Sequence, residues 1–189
     1  TARSRGLGDV YKRQLWLEAF GGANPEAIHD LAETPDGGFI LVGSTESYGS
    51  LLKDVFVVKV DQNGVLEWTN TYGGNDLDEG KSVYIGEDGL LYLIGYTRSF
   101  GFGEADIWLI VIDSQGNELN SYTFGTELNN YGVGIISDGS GHLIILSNDE
   151  INGYSEQKVA VRKIGLDGSQ IWYNYHQSDQ FEISSGILK

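Results

Sequence analysis

Short runs of Val, Ile, Leu, Phe and Tyr alternate along most of the chain with clusters of Gly, Asp, Asn and Ser. Apolar runs of this length read as strands, and the clusters between them read as turns. In the first clear unit the strands are Ala27 to Glu33, Phe39 to Gly43, Asp54 to Val60 and Val65 to Thr71, designated A, B, C and D. No stretch sustains the 3.6-residue apolar period of a helix.

The unit recurs every 52 residues without insertion or deletion. Trp16, Trp68 and Trp172 share one phase, with Asn120 in the remaining slot, and Phe20, Tyr72, Phe124 and His176 share another. Glycines keep step as Gly37, Gly89 and Gly141, as Gly49, Gly101 and Gly153, and as Gly64, Gly116 and Gly168. In-phase glycines mark places where the backbone needs positive φ or close approach. A and B are joined by Thr34-Pro-Asp-Gly-Gly38, Gly86-Glu-Asp-Gly89 and Asp138-Gly-Ser-Gly141, all compositions of tight turns. C and D are joined by Asp61-Gln-Asn-Gly64, Asp113-Ser-Gln-Gly116 and Gly165-Leu-Asp-Gly168, which suit hairpins with a left-handed Gly.

Four short strands per unit of about fifty residues is the pattern of a β-propeller blade. The expected fold is therefore all-β: a partial propeller of about three four-stranded antiparallel blades forming an open arc. The blades are expected at 23–74, 75–126 and 127–178, with 15–22 as the last strand of a preceding blade and 179–189 as the first strand of a following one. A closed ring typically takes four to eight blades, so further blades of the same chain are the expected neighbours.

Composition changes the picture at one end. Residues 1–14 hold Arg3, Arg5, Lys12 and Arg13, four of the twelve basic residues. The run from Ser4 to Gln14 resembles a reading-frame translation of a transposon-type sequencing adapter, which implies that 1–14 are not native. The segment also lacks the apolar core of a secretory signal. With Asp9 and those four cations set aside, 8 basic and 26 acidic residues remain, a net charge of -18 against -15 for the whole chain. So acidic a chain repels phosphate backbones, which argues against nucleic acid as a partner. No apolar run approaches the roughly 18 residues of a membrane-spanning helix. The absence of Cys excludes disulfides, zinc–thiolate sites and a thiol nucleophile.

From Trp16 onward the units look like variations on Trp-x-x-x-aromatic-Gly-Gly, Asp-Gly-Gly, Gly-x-Thr-x-Ser and Asp-x-aromatic-x-Val-Lys-x-Asp-x-x-Gly, met most fully in the first. This resembles the β-propeller repeats of large secreted or surface-anchored bacterial proteins, the SBBP-like group, over essentially all of 15–189. The resemblance implies an extracellular or cell-surface address, an interaction role and no catalytic assignment. The third unit departs most, with Ser147 for Gly43 and Gly95, Asp149 for Thr45 and Thr97, and Lys158 for Asp54 and Asp106. A more local similarity links Asp61-x-x-Gly64-x-x-x-Trp68 and Gly168-x-x-x-Trp172 to the tryptophan-docking repeats of quinoprotein-like propellers. The turn is one residue shorter here and lacks their Thr, so the similarity implies shared inter-blade packing by Trp16, Trp68 and Trp172 more than a shared quinone.

Candidate chemistry is sparse. Asp138-Gly-Ser-Gly-His142 places acid, hydroxyl and imidazole together, yet it falls on an A–B turn, and a catalytic triad converges in space rather than in sequence. His29, His142 and His176 fall in different phases and suggest no ring of ligands. In Asn75-Asp-Leu-Asp-Glu79, the carboxylates of Asp76, Asp78 and Glu79 are oxygen donors suited to Ca²⁺, though the spacing is not that of a calcium loop, and a solvated loop is the competing reading. No other cofactor is expected.

In a four-stranded meander the D–A and B–C connections share one end of the sheet, and the tight A–B and C–D turns share the other. The longer B–C loops carry Tyr48, Arg98, Phe100, Phe102, Asn152 and Tyr154, aromatics and hydrogen-bonding groups able to engage a glycan or a protein. The same aromatics can equally fold down onto their own blade. The leading expectation is a non-catalytic binding module. The alternatives are part of an enzyme propeller, whether quinoprotein-like oxidoreductase or polysaccharide-cleaving, and a purely structural stalk repeat.

Overall fold

The computed structural model describes residues 19–50, 52–151 and 156–176. Trp16, Asn152, Gly153 and Tyr154, and the expected flanking segments at 1–14 and 179–189, lie outside these residues. The described chain is all strand and turn, in three four-stranded antiparallel sheets. Sheet 1 contains β1 (Glu26–Glu33), β2 (Phe39–Thr45), β3 (Asp54–Val60) and β4 (Leu66–Tyr72). Sheet 2 contains β5 (Asp78–Ile85), β6 (Leu91–Thr97), β7 (Asp106–Ile112) and β8 (Glu118–Phe124). Sheet 3 contains β9 (Asn130–Ser137), β10 (His142–Ile151), β11 (Glu156–Gly165) and β12 (Gln170–Tyr175). Every sheet is a meander in chain order, as the four-run pattern requires.

The 52-residue period is visible in the hydrogen bonds. Asp78 N–H donates to Lys53 O at 2.8 Å and Asn130 N–H to Ala105 O at 2.7 Å, so each new sheet is tied to the residue just before the third strand of the preceding sheet. The C–D turns close through Gly64, Gly116 and Gly168 at φ of 79°, 82° and 80°, a region that side chains with a Cβ rarely occupy. Irregularities repeat as well. The first strand skips His29, Lys81 and Val133 in its pairing with the second, and the fourth skips Glu67, Leu119 and Ile171. These are β-bulges, which twist a strand and re-aim the side chain beside the extra residue.

Burial explains why the sheets stack. Ile40, Val42, Val55 and Val57 of sheet 1 meet Val83, Leu91, Leu93, Ile110 and Ile112 of sheet 2 in one core, with Trp68 packed against its edge. The opposite face of sheet 2, through Tyr92, Ile94, Ile107 and Leu109, meets Ile135, Leu143, Ile145 and Ile164 of sheet 3. Both faces of β7 are apolar for this reason, while the second face of β3, through Phe56, Val58 and Val60, packs with Phe20, Phe39 and Leu41; β8 and β12 are mostly exposed. β5 packs on β1, β2 and β3, and β9 on β5, β6 and β7, so the first strands form a row. Among the described residues no helix is long and apolar enough to cross a membrane.

Candidate functional site

The D–A and B–C connections do share one end of the sheets, and their aromatics divide into two kinds. Tyr48 stacks on Phe56 of its own sheet with centroids 6.0 Å apart, and its hydroxyl donates to Gly21 O at 2.9 Å. Phe100, 52 residues later, lies on Trp108 with centroids 5.2 Å apart. Room for each ring comes from a glycine: a Cβ on Gly22 would stand 3.3 Å from the Tyr48 ring, and one on Gly74 would stand 3.1 Å from the Phe100 ring. Both rings therefore fold down over the Gly-Gly corner. Phe102 does not; it is 95% exposed, held only through its N–H to Asp106 Oδ2 at 2.8 Å. Arg98 is also exposed, with its backbone N–H bound to Leu77 O.

The acidic stretch is not the loop its composition predicts, because Asp78 and Glu79 open β5 and are buried. Asp76 stays in the connection and accepts from Leu77 N–H at 2.7 Å. Asp78 Oδ2 accepts from Gly74 N–H and Ser99 Oγ–H, and Asp54 and Asp78 both face the place a Cβ on Gly73 would fill. Burial, and then the Asp78 charge, raise the Asp54 carboxyl above its ordinary value against the hydrogen bonds from Ser50. Glu79 has other company: His29 Nε2–H at 2.7 Å, Lys81 Nζ at 2.8 Å and the Tyr96 hydroxyl at 2.7 Å. Burial alone would raise its carboxyl, yet these three donors hold it well below the usual range. Among the described residues no group of three or more His, Asp or Glu is arranged to hold a metal ion.

The His29–Glu79–Lys81–Tyr96 cluster joins sheets 1 and 2 along the row of first strands and was not anticipated from the sequence. Its signal was the shared phase of His29 and Lys81, the bulged residues of successive sheets. In sheet 3 a second cluster surrounds Asp149, which accepts from Arg162 Nη2 at 2.5 Å and from the Tyr173 hydroxyl at 3.0 Å. A cavity of about 420 Å³ lies beside it, lined by Asn130, Asp149, Tyr173 and Tyr175.

Asp138, Ser140 and His142 touch one another, but the carboxylate is the hub. Asp138 Oδ2 accepts from Ser140 at 2.8 Å and Lys163 at 2.6 Å, and lies 3.2 Å from His142 Nδ1. A nucleophilic triad instead puts the imidazole between acid and hydroxyl. Trp68 packs at the junction of sheets 1 and 2 as expected, whereas Trp172, at the same phase of sheet 3, is 40% exposed. Comparison with protein-family models and with curated proteins gives no match for the chain.

Proposed function

We propose that these three sheets are consecutive blades of a β-propeller, an open arc serving as a non-catalytic binding module of a secreted or cell-surface protein. In this reading the end carrying the D–A and B–C loops engages a glycan or protein. The row of first strands and the constant junction every 52 residues support the arc. The observation that carries the binding role is Phe102, a nearly fully exposed ring on the same loop as exposed Arg98, whereas Tyr48 and its phase-mate Phe100 each rest one side on a ring of their own sheet and stay 45% exposed. Aromatic and Arg side chains are the usual anchors of interfaces. The buried acidic groups serve the scaffold: Glu79 ties sheet 2 to sheet 1 through His29, and Asp149 ties together strands of sheet 3 through Arg162 and Tyr173.

A glycan array probed with the full chain, followed by Phe102→Ala and Arg98→Ala, tests this. The expected result is retention of a glycan class that the Phe102 variant loses at least tenfold. Failure of any glycan to bind, or unchanged binding by both variants, overturns the loop-end glycan reading.

A further inference from the structure

The opposite end of the sheets, where the tight turns lie, holds a groove of about 880 Å³ between sheets 1 and 2. Its floor is apolar, formed by the partly exposed Ile85, Leu90 and side of Trp68 over the buried Ile40 and Leu91. Its rim is acidic, with Asp36, Glu67, Asp88 and Asp113. The far wall is the turn from Asp113 to Asn117. Three donors on β4 fix it in place: Trp68 Nε1–H reaches Ser114 O at 3.2 Å, and Asn70 Nδ2–H and the Tyr72 hydroxyl both reach Gly116 O at 2.7 Å. The groove is thus preformed and of a size that binds small ligands, roughly 300–1,000 Å³.

The repeat does not demand this groove. At the next junction the same phase holds Tyr92 in place of Ile40, Leu119 in place of Glu67 and Asn120 in place of Trp68. There the space is about 240 Å³. Junction packing alone therefore explains the small cleft, and the large one is a property of the residues peculiar to the first junction.

The single cation of the groove is already engaged. Lys59 Nζ, on a side chain only 5% exposed, donates to Asp36 at 3.2 Å, Glu67 at 2.9 Å and Val60 O at 3.0 Å, which uses its three N–H groups. No donor of positive charge remains for an anionic ligand. The carboxylates are held by their turns: Asp36 by Thr34 and Gly38 N–H, Asp113 by Gln115 N–H, Asn117 N–H and Asn117 Nδ2. An apolar floor with an indole wall suits the C–H face of a pyranose ring, and ordered carboxylates at the rim suit its hydroxyls as acceptors. We infer that the groove between sheets 1 and 2 is a binding site for a neutral saccharide, distinct from the loop end.

Calorimetry of the full chain with cellohexaose, xylohexaose, maltohexaose, chitohexaose and hexagalacturonate tests the assignment. At least one neutral hexasaccharide binds, and hexagalacturonate binds at least tenfold more weakly. Trp68→Leu abolishes binding, and Gln115→Ala, at an exposed turn position lining the groove, weakens it about threefold with an unchanged melting temperature. Phe102→Ala leaves groove binding as it was, which separates this site from the loop end. Absence of binding to every neutral sugar, equal binding of the uronate, or indifference to both Trp68→Leu and Gln115→Ala overturns the inference. If Trp68→Leu does not fold, Gln115→Ala alone decides between a groove ligand and a sugar bound elsewhere.

Discussion

Glu79 shows how one carboxylate can join two sheets. It is buried on β5, and His29, Lys81 and Tyr96 satisfy its oxygens. Its folded-state pKa is depressed below the ordinary 4.5, so its contribution is fully present above that value and is lost as pH falls through it. Glu79→Gln removes the acceptor charge and leaves Lys81 and His29 facing an amide, a loss of about 3–5 kcal/mol for a broken buried pair. Urea melts from pH 3 to 7 are expected to show the wild-type chain losing stability on the acid side and the variant following a flatter curve. The turn glycines were readable in the chain because positive φ leaves a compositional mark. The Glu79 cluster was not, because a bulge at His29 and at Lys81 shifts the alternation by one residue and re-aims side chains that the simple period places elsewhere. The resting place of the Tyr48 and Phe100 rings was hidden for a similar reason: it depends on the missing side chain at Gly22 and Gly74, a contact between segments more than twenty residues apart.

At the scale of the element, strand number and order were carried by the apolar runs, and the ends moved by one or two residues. β2 continues to Thr45 because that hydroxyl donates to Glu26 at the start of β1, extending the ladder beyond the apolar run. Two glycines of sheet 1 separate backbone strain from steric contact. Gly64 sits in a turn at φ 79°, so Gly64→Ala is expected to cost about 1–2 kcal/mol. Gly43 has an ordinary strand conformation, yet a Cβ there would land on the carbonyl oxygen of Ala27 beside the bulge. Gly43→Ala is expected to cost more than Gly64→Ala, and chemical melts of the pair check the order. The candidate site was legible at this scale only as an end of the sheets. The groove between sheets 1 and 2 depends on Ile40, Glu67 and Trp68 meeting the turn at Asp113 across a junction, a pairing that no single repeat displays.

Across the whole molecule, the same phase has different surroundings in each sheet. Val83 and Ile135 are fully buried at the two junctions, whereas Leu31, their counterpart in sheet 1, is 58% exposed beside Ile28, Phe39 and Leu41. Ile135→Ala is expected to cost about 2–5 kcal/mol and Leu31→Ala less than about 1 kcal/mol, measured by denaturant melts. An exposed apolar sheet face also favours association. Sedimentation velocity of the purified chain is expected to show a concentration-dependent shift to larger species, and Leu31→Lys to suppress it. The described sheets are joined by one connection each, few backbone hydrogen bonds between neighbours and a great deal of side-chain contact. Side-chain contact slides apart under load more easily than a hydrogen-bond ladder, so the weak seams under tension run between sheets. A chain pulled by its two ends would yield one sheet at a time, giving a sawtooth force trace with each tooth releasing up to about 170–190 Å of contour for a repeat of 52 residues. The evenness of those teeth would be the mechanical signature of units of equal length.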